Sequence, residues 1–370
     1  MLFFLACLSL LMWLAIILLP WKPYSTREHL DRCHFKNGHS LGEVTVLIPA
    51  RNEALTLKES LPSVLSQGPD LKVIVVDDCS EDDTSLVAKD ILGSQGEVIK
   101  GRPCPEGWSG KLWALEQGLA HVKTPFVLLM DADILLEDGI LYSALSSLKE
   151  LRVDMVSLMA WLRMDNLVEK LFMPAFIYFF KLLYPFKLAN GPSRLIAAAA
   201  GGFILVKSDT LRNIGAFSSI KEAIIDDCTL ARSIKKSGGR IFIGLTKCVR
   251  SIRQYSHLAD IWQMVSRTAY TQLHYNPALL VVATLLMVVA FVVPIVGLFS
   301  SQFSTTIISF SALFVMFVSY LPVLRYYNLS PILGLTLPFV AFLYLAMTWS
   351  SAWQHYFGKG VHWRGRYIKH

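Results

Sequence analysis

Apolar and polar positions divide this chain into blocks of different character. Residues Met1 to Trp21 carry no charged side chain, and between Ala278 and Ala352 the only one is Arg325. The first apolar run is about 18 residues long, and Pro277–Ser300, Phe303–Val323 and Pro331–Trp353 each approach the roughly 20 residues that a spanning helix requires. Three nearly uncharged runs in succession read as membrane helices rather than buried core helices. The first run lacks a basic n-region, and "LLPWKPYS" offers no small-residue cleavage site, so it reads as an uncleaved anchor.

Between these blocks the pattern changes. "VTVLIPARNEA" is a strand that stops at Pro49 and leads into the helical run "LTLKESLPSVLSQ". "KVIVVDD" is a second strand, followed by "CSEDDTSLVAKDIL", where Ser80 or Asp82 can cap a helix. "GEVIKG" is a short strand, "GKLWALEQGLAHV" a helix, and "PFVLLMDAD" a strand too apolar to be exposed on either face. Strands alternating with helices predict an α/β fold with a mostly parallel sheet and helices on both faces. Ligands of such sheets bind beyond the carboxyl ends of the strands, where Asp77, Asp78, Asp131 and Asp133 fall.

Composition agrees with this division. The chain is 54% hydrophobic, with a mean hydropathy of +0.46, too apolar for an ordinary soluble enzyme. The predicted layout is an anchor at 1–21, a basic linker at 22–42, a catalytic domain at 43–275, membrane segments at 276–353 and a basic tail at 354–370. Cys7, Cys33, Cys79, Cys104, Cys228 and Cys248 are scattered without CxxC spacing, which favours a reducing compartment and gives no zinc site. The net charge of +7 suits an anionic leaflet, and no motif supports nucleic-acid binding. His29, His257 and His274 lack metal-ligand spacing, and no nucleophile elbow supports a serine triad.

Charge also bears on orientation. Lys22, Arg27, Arg32 and Lys36 follow the first anchor and place the globular domain on the cytoplasmic side. Three further spans would then put the C-terminus outside, yet the tail carries Lys359, Arg364, Arg366 and Lys369. Either one apolar segment is interfacial or re-entrant, or the tail breaks the rule.

The GxGxxG fingerprint and the GxxxxGK[ST] loop are both absent, so a bound nucleotide needs another way to manage its phosphates. "DAD" offers one, because two carboxylates two residues apart can hold a hard divalent cation that neutralises a diphosphate. Alone it is equally a solvated turn. Its position after a buried strand, downstream of a similar acidic strand end, favours the ligand. Asp226 and Asp227 precede a helix that closes at "SGG", where capping and the macrodipole alone favour acids. Gly201 and Gly202 let backbone approach a bulky ligand or pack closely on a neighbour.

In order, PARNE, VVDDCSEDDT, GWSGK, LLMDAD, AGGF and DD resemble the family 2 glycosyltransferases, with a nucleotide-sugar-binding fold of the GT-A type. The resemblance covers about residues 43 to 275. The flanking hydrophobic segments and the tail "VHWRGRYI" look most like the hopene-associated glycosyltransferases of bacterial hopanoid synthesis, and the layout is similar to ceramide glucosyltransferase-like enzymes. The resemblance implies that Pro49, Arg51, Glu53, Asp77 and Asp78 line the nucleoside pocket and that Lys111 approaches the donor diphosphate. It further implies that Asp131 positions donor or metal-bound groups, that Asp133 ligates Mg²⁺ or Mn²⁺, and that Gly201 and Gly202 border the sugar. Asp227 would be the general base of an inverting transfer, with Asp226 the alternative. Relatives often carry Gln-x-x-Arg-Trp after the base. Here "DIWQMVSRTAYTQ" leaves Gln263 out of step and puts Thr268 after Arg267, so Arg267 alone would meet the diphosphate and a single transfer is expected.

Leu171–Ile196 is aromatic-rich and punctuated by Lys181, Lys187 and Arg194, with Lys170 just before it. It reads as a segment in the headgroup region with snorkelling lysines, or as a buried core helix. The expected function is transfer of one sugar from a nucleotide-sugar to a hydroxyl of a lipid, a hopanoid or other polyprenoid, at the bacterial inner membrane with the catalytic domain facing the cytoplasm. A ceramide- or polyprenyl-phosphate-directed transferase, or a non-catalytic nucleotide-binding membrane protein, are the alternatives.

Overall fold

The computed structural model describes residues 1–31 and 40–358, with the backbone of 361–363 and 366–368. Arg32, Cys33, Lys36, Lys359, Arg364 and Lys369 lie outside the described residues, as does the Arg366 side chain. The chain forms two compact units, one of Met1–Arg27, Met164–Lys187 and Tyr255–His370, the other of Glu28–Arg163 and Leu188–Gln254.

An apolar helix α1 (Leu2–Leu18) opens the chain. The second unit then runs β1 (Val44–Ala50), α2 (Ala54–Leu65), β2 (Lys72–Asp77), α3 (Thr84–Leu92), β3 (Gly96–Lys100), α4 (Gly110–Leu119) and β4 (Phe126–Met130). It continues through β5 (Ile134–Leu136), α5 (Ile140–Glu150) and β6 (Met155–Trp161). After α6 (Leu167–Leu183) and a short α7 (Phe186–Ala189) it resumes with β7 (Phe203–Lys207), α8 (Ser208–Asn213), α9 (Asp226–Lys236) and β8 (Ile241–Ser251).

These strands form one sheet in the order β3-β2-β1-β4-β7-β6-β8-β5. β3, β2, β1 and β4 are mutually parallel, as the alternating pattern predicted. β7 enters antiparallel to both β4 and β6, β8 runs parallel to β6, and β5 pairs antiparallel to β8. Side chains alternate between two cores, as a sheet covered on both faces requires. Val46, Ile48, Val73, Val75 and Leu128 face the helices α2, α3 and α5. Leu47, Ile74, Val76, Val127 and Leu129 face α4, α8 and α9. Gly118 lets α4 lie tight on the sheet, since a Cβ there would stand 2.3 Å from Leu47 Cδ1 and 2.7 Å from Val76 Cγ2. That close seat fixes where the N-terminus of α4, and with it Lys111, meets the strand ends.

In the first unit, α10 (Leu258–Ser266) and α11 (Ala269–Gln272) precede α12 (Pro277–Met287), which passes through a π turn at Val288–Val292 into α13 (Val293–Leu298). α14 (Phe303–Tyr326), a 3-10 stretch (Pro331–Thr336) and α15 (Leu337–Phe357) follow, and β9 (Val361–Trp363) pairs with β10 (Arg366–Ile368). Pro277–Leu298, Phe303–Tyr326 and Pro331–Phe357 are long and apolar enough to cross a membrane, while α1 has 17 residues. α6 belongs to this unit: Tyr178 Oη lies 2.7 Å from Ser319 Oγ, and Tyr344 Oη donates to the Phe172 carbonyl at 2.8 Å. Lys181, expected to snorkel, is instead 1% exposed and lies 3.7 Å over the Phe186 ring.

Candidate active site

The loops after β1 and β2 are tied together before any ligand enters. Asp82 Oδ2 accepts the Ala54 N–H at the start of α2, and its Oδ1 accepts the Thr84 N–H at the start of α3, both at 3.1 Å. One carboxylate therefore caps two helices. Burial opposes its charge, but these bonds, with Thr84 Oγ1 foremost, hold Asp82 below the ordinary carboxylate range. Ser80 Oγ accepts from Asn52 N at 2.9 Å, so it braces the neighbouring loop rather than capping α3. Asp77 Oδ1 accepts the Ser80 N–H at 3.0 Å and closes the turn after β2. Asp78 is 1% exposed; Arg51 Nη1 donates to its carbonyl at 3.1 Å and stands 3.9 Å from its Oδ2. The Arg51 Nε is buried with no hydrogen-bond partner among the described residues. Glu53 is buried, accepts from Thr56 Oγ1 at 2.7 Å and heads α2.

A second group assembles at the end of β4. The β4–β7 ladder extends one step past the strand, with Asp131 N donating to the Gly202 carbonyl at 3.3 Å. This places Asp131 beside Gly201. Ser109 caps α4 by accepting Leu112 N at 3.3 Å, which presents Lys111 from the first turn. Lys111 Nζ is 2.8 Å from Asp131 Oδ1 and 3.3 Å from Asp226 Oδ2. Burial alone would depress this ammonium, yet the charges of Asp131 and Asp226 hold it well above the usual lysine value.

Asp227 lies in the same cluster, at the start of α9, with Oδ1 accepting Cys228 N at 2.7 Å. Burial and then the neighbouring Asp226 push its carboxyl up to about 7, against the pull of Lys111. A Cβ on Gly201 would stand 3.3 Å from Lys111 Nζ and 3.4 Å from Asp227 Oδ2, so this glycine faces those two side chains. Gly202 does not: a Cβ there would meet Ile134 Cδ1 at 2.9 Å, and its smallness serves the packing of β5. One pocket is lined by Pro49, Lys111, Asp131, Gly201, Asp226 and Asp227, with Phe217 and Ile220 on its wall. Arg51, Glu53, Asp77, Asp78, Asp133 and Gly202 stand outside that lining. Arg267 belongs to the other unit, at the C-terminal end of α10.

Sequence reading missed the framework around Asp133. β8 ends beside it: Ile252 N donates to its carbonyl at 2.9 Å and Ser251 Oγ to its Oδ2 at 3.4 Å. Burial, then the Asp131 charge, raise Asp133 to about 6, with Glu53 adding to the rise and Arg253 opposing it. Among the described residues no three His, Cys, Asp or Glu side chains form a metal cage. Asp133, whose charge Asp131 disfavours, would together with Asp131 suit a Mg²⁺ or Mn²⁺ that took its remaining ligands from a substrate's phosphates. Glu116 was also missed; its Oε2 accepts Phe217 N at 3.0 Å and Ser218 N at 3.2 Å, fixing the pocket wall.

A half-parallel sheet, with no glycine-rich phosphate loop, gathers acids and the Lys111 of α4 beyond the carboxyl ends of its strands, where ligands of such α/β sheets bind. Residues 45–215, a little under half of the chain, match the model of Glycosyl transferase family 2. A mannosyltransferase of Pyrobaculum calidifontis, solved in complex with GDP-Man and Mn²⁺, has the same GT-A fold, with a TM-score of 0.55 and 17% identity over 97% of this chain and 100% of that one. The 4,4'-diaponeurosporenoate glycosyltransferase of Staphylococcus haemolyticus is 30% identical over 111 residues, 30% of this chain and 29% of the relative. Its Staphylococcus aureus counterpart is 34% identical over 91 residues, 25% and 24% of the two chains. The chain spans less than a third of the length of the curated relatives it matches.

Proposed function

We propose that this protein transfers a single sugar from a nucleotide-sugar to a hydroxyl of a lipid acceptor, with inversion at the anomeric carbon. The observation that carries the reading is the convergence of Lys111, Asp131, Asp226 and Asp227 round Gly201 in one pocket. Asp227 is the base: it takes the proton of the acceptor hydroxyl as that oxygen bonds to the anomeric carbon. The bond from that carbon to the nucleoside diphosphate breaks, and its electron pair leaves on the phosphate oxygen. Asp226, bound to Lys111, holds the ammonium where the diphosphate arrives, as a point charge suited to phosphate. Asp131 and Asp133 would hold Mg²⁺ or Mn²⁺, which when bound neutralises the leaving diphosphate.

Arg51, Glu53, Asp77 and Asp78 shape the nucleoside end, where the unpartnered Arg51 Nε is available to a ligand. A lipid acceptor is supported by the three long apolar helices and by relatives named for a lipid-related substrate. A hopanoid is the preferred acceptor, on the layout of the flanking segments, and the inner membrane of a bacterium the preferred location. Detergent-solubilised protein, incubated with a panel of labelled nucleotide-sugars, Mn²⁺ and bacterial lipid extract, should yield one labelled lipid whose mass names the acceptor. Label appearing only as free sugar or in soluble glycans would sink the proposal. Asp133→Ala should weaken donor binding only when metal is present; an unchanged metal titration would remove Asp133 from that role.

A further inference from the structure

The packing of the apolar unit bears on the opposing charge signals at its two ends. α13 and α14 form a hairpin, for a Cβ on Gly297 would stand 2.0 Å from Ser309 Oγ. α12–α13 therefore runs one way through the apolar unit and α14 returns, so that Tyr326 lies toward the end of the unit where α12 began. A segment that then crossed would run parallel to α12–α13. α15 does the opposite. Tyr344 packs against Phe179 with ring centroids 5.5 Å apart, and Phe179 against Phe291 of the π turn at 6.0 Å. Five residues later, Trp349 Nε1 donates to Thr284 Oγ1 at 3.0 Å, in the second turn of α12.

The sequence of contacts continues to the starting face. Trp262 of α10 donates to Ser350 Oγ at 3.0 Å, Tyr270 N donates to Ser351 Oγ at 3.0 Å, and the Tyr270 and Tyr356 hydroxyls are 3.0 Å apart. As α15 advances, its partners move back along the chain from Phe291 through Thr284 to Tyr270. The 3-10 stretch supplies the inward limb. Gly334 sits against Phe317, where a Cβ would lie 2.7 Å from the ring. Phe317 is nine residues short of the end of α14, about 13 Å deep at 1.5 Å per residue.

We infer that Pro331–Phe357 enters and leaves the membrane on one face, as a re-entrant segment, and that the basic tail ends on the face from which the chain enters α12. Non-helical backbone at membrane depth is tolerated where protein covers it, and Gly334 of the 3-10 limb is buried against Phe317 of α14 in this way. The arrangement places the C-terminal end of α15, at Phe357, on the same side as Lys22 and Arg27 if α1 crosses once, which removes the conflict between the two charge signals of the sequence. The inference is independent of the sugar-transfer reading.

Epitope tags in the full-length protein test it, placed after Ser94 in the catalytic unit, between Ser300 and Ser301, and after His370. In sealed membrane vesicles of one orientation, the C-terminal tag should be digested together with the Ser94 tag, and the 300–301 tag should be protected; vesicles of the opposite orientation should reverse the pattern. A C-terminal tag that follows the 300–301 tag would mean that the last segment crosses, and would overturn the inference. Digestion of all three tags from one face would overturn it as well, by removing the crossings of α12–α13 and α14. A retained mobility in size-exclusion chromatography shows that each tagged protein is folded.

Discussion

The loops after β1 and β2 and the pocket between β4 and α9 both gather acidic side chains, and they use them in opposite ways. In the loops, Asp77 and Asp82 accept backbone N–H groups, so their charges are spent on holding helices and turns together. In the pocket, Asp131 and Asp226 share one lysine, and Asp227 is held near 7 by burial and by its neighbour. An acid satisfied by the backbone stabilises the fold. An acid balanced mainly against other side chains, as Asp227 is despite its one bond from Cys228 N, is available to a ligand, and a perturbed ionisation of this kind marks a candidate functional site.

Substitution at the two places should separate these roles. Asp227→Asn should lower transfer by roughly 10²–10⁴-fold, the range for loss of a general base, with nucleotide binding and thermal stability retained; residual turnover near the parent rate would move the base elsewhere. The pH profile sharpens the same point. A base must be deprotonated to work, so with Asp227 near 7 the rate should fall as pH drops below that value and level off above it. A flat profile between pH 5.5 and 8.5 (roughly a unit and a half either side) would exclude Asp227 as the titrating base.

The adjacent glycines give a finer contrast. Gly201→Ala should cost about tenfold in kcat, near 1.4 kcal/mol, by crowding Lys111 and Asp227, with the melting temperature kept. Gly202→Ala should instead lower stability by about 1–3 kcal/mol through overpacking on Ile134, with activity per folded molecule kept. An exchange of these two phenotypes would refute the assignment of faces. Asp82→Ala should be the mildest for chemistry, costing about 1–2 kcal/mol of stability for the lost caps and leaving the metal titration unmoved. Chemical denaturation read beside initial rates distinguishes all of these.

Much of this was legible along the chain. The strands at Val44, Lys72 and Phe126 announced themselves by unbroken apolar runs ended by Pro49 or by acids, because strands buried on both faces have no room for polar residues. The long apolar blocks were equally plain. β6 and β8 were not, and the small β5 was invisible, since three residues carry no periodicity. Lys181 was left between snorkelling and burial because composition gives a lysine's preference for water but not the aromatic ring that packing set beneath it.

The sequence by itself determined the class of fold and the blocks of mixed and apolar composition, and it named the acids and the lysine that the pocket gathers. These follow from local rules: periodicity, turn residues and the cost of desolvating charge. Tertiary structure alone decided which acids are architectural and which face the pocket, that Gly201 and not Gly202 borders Lys111 and Asp227, and which way α15 runs. Those distinctions depend on partners tens or hundreds of residues away, as with Asp82 and Ala54 or Trp349 and Thr284, and no local pattern encodes such a distance.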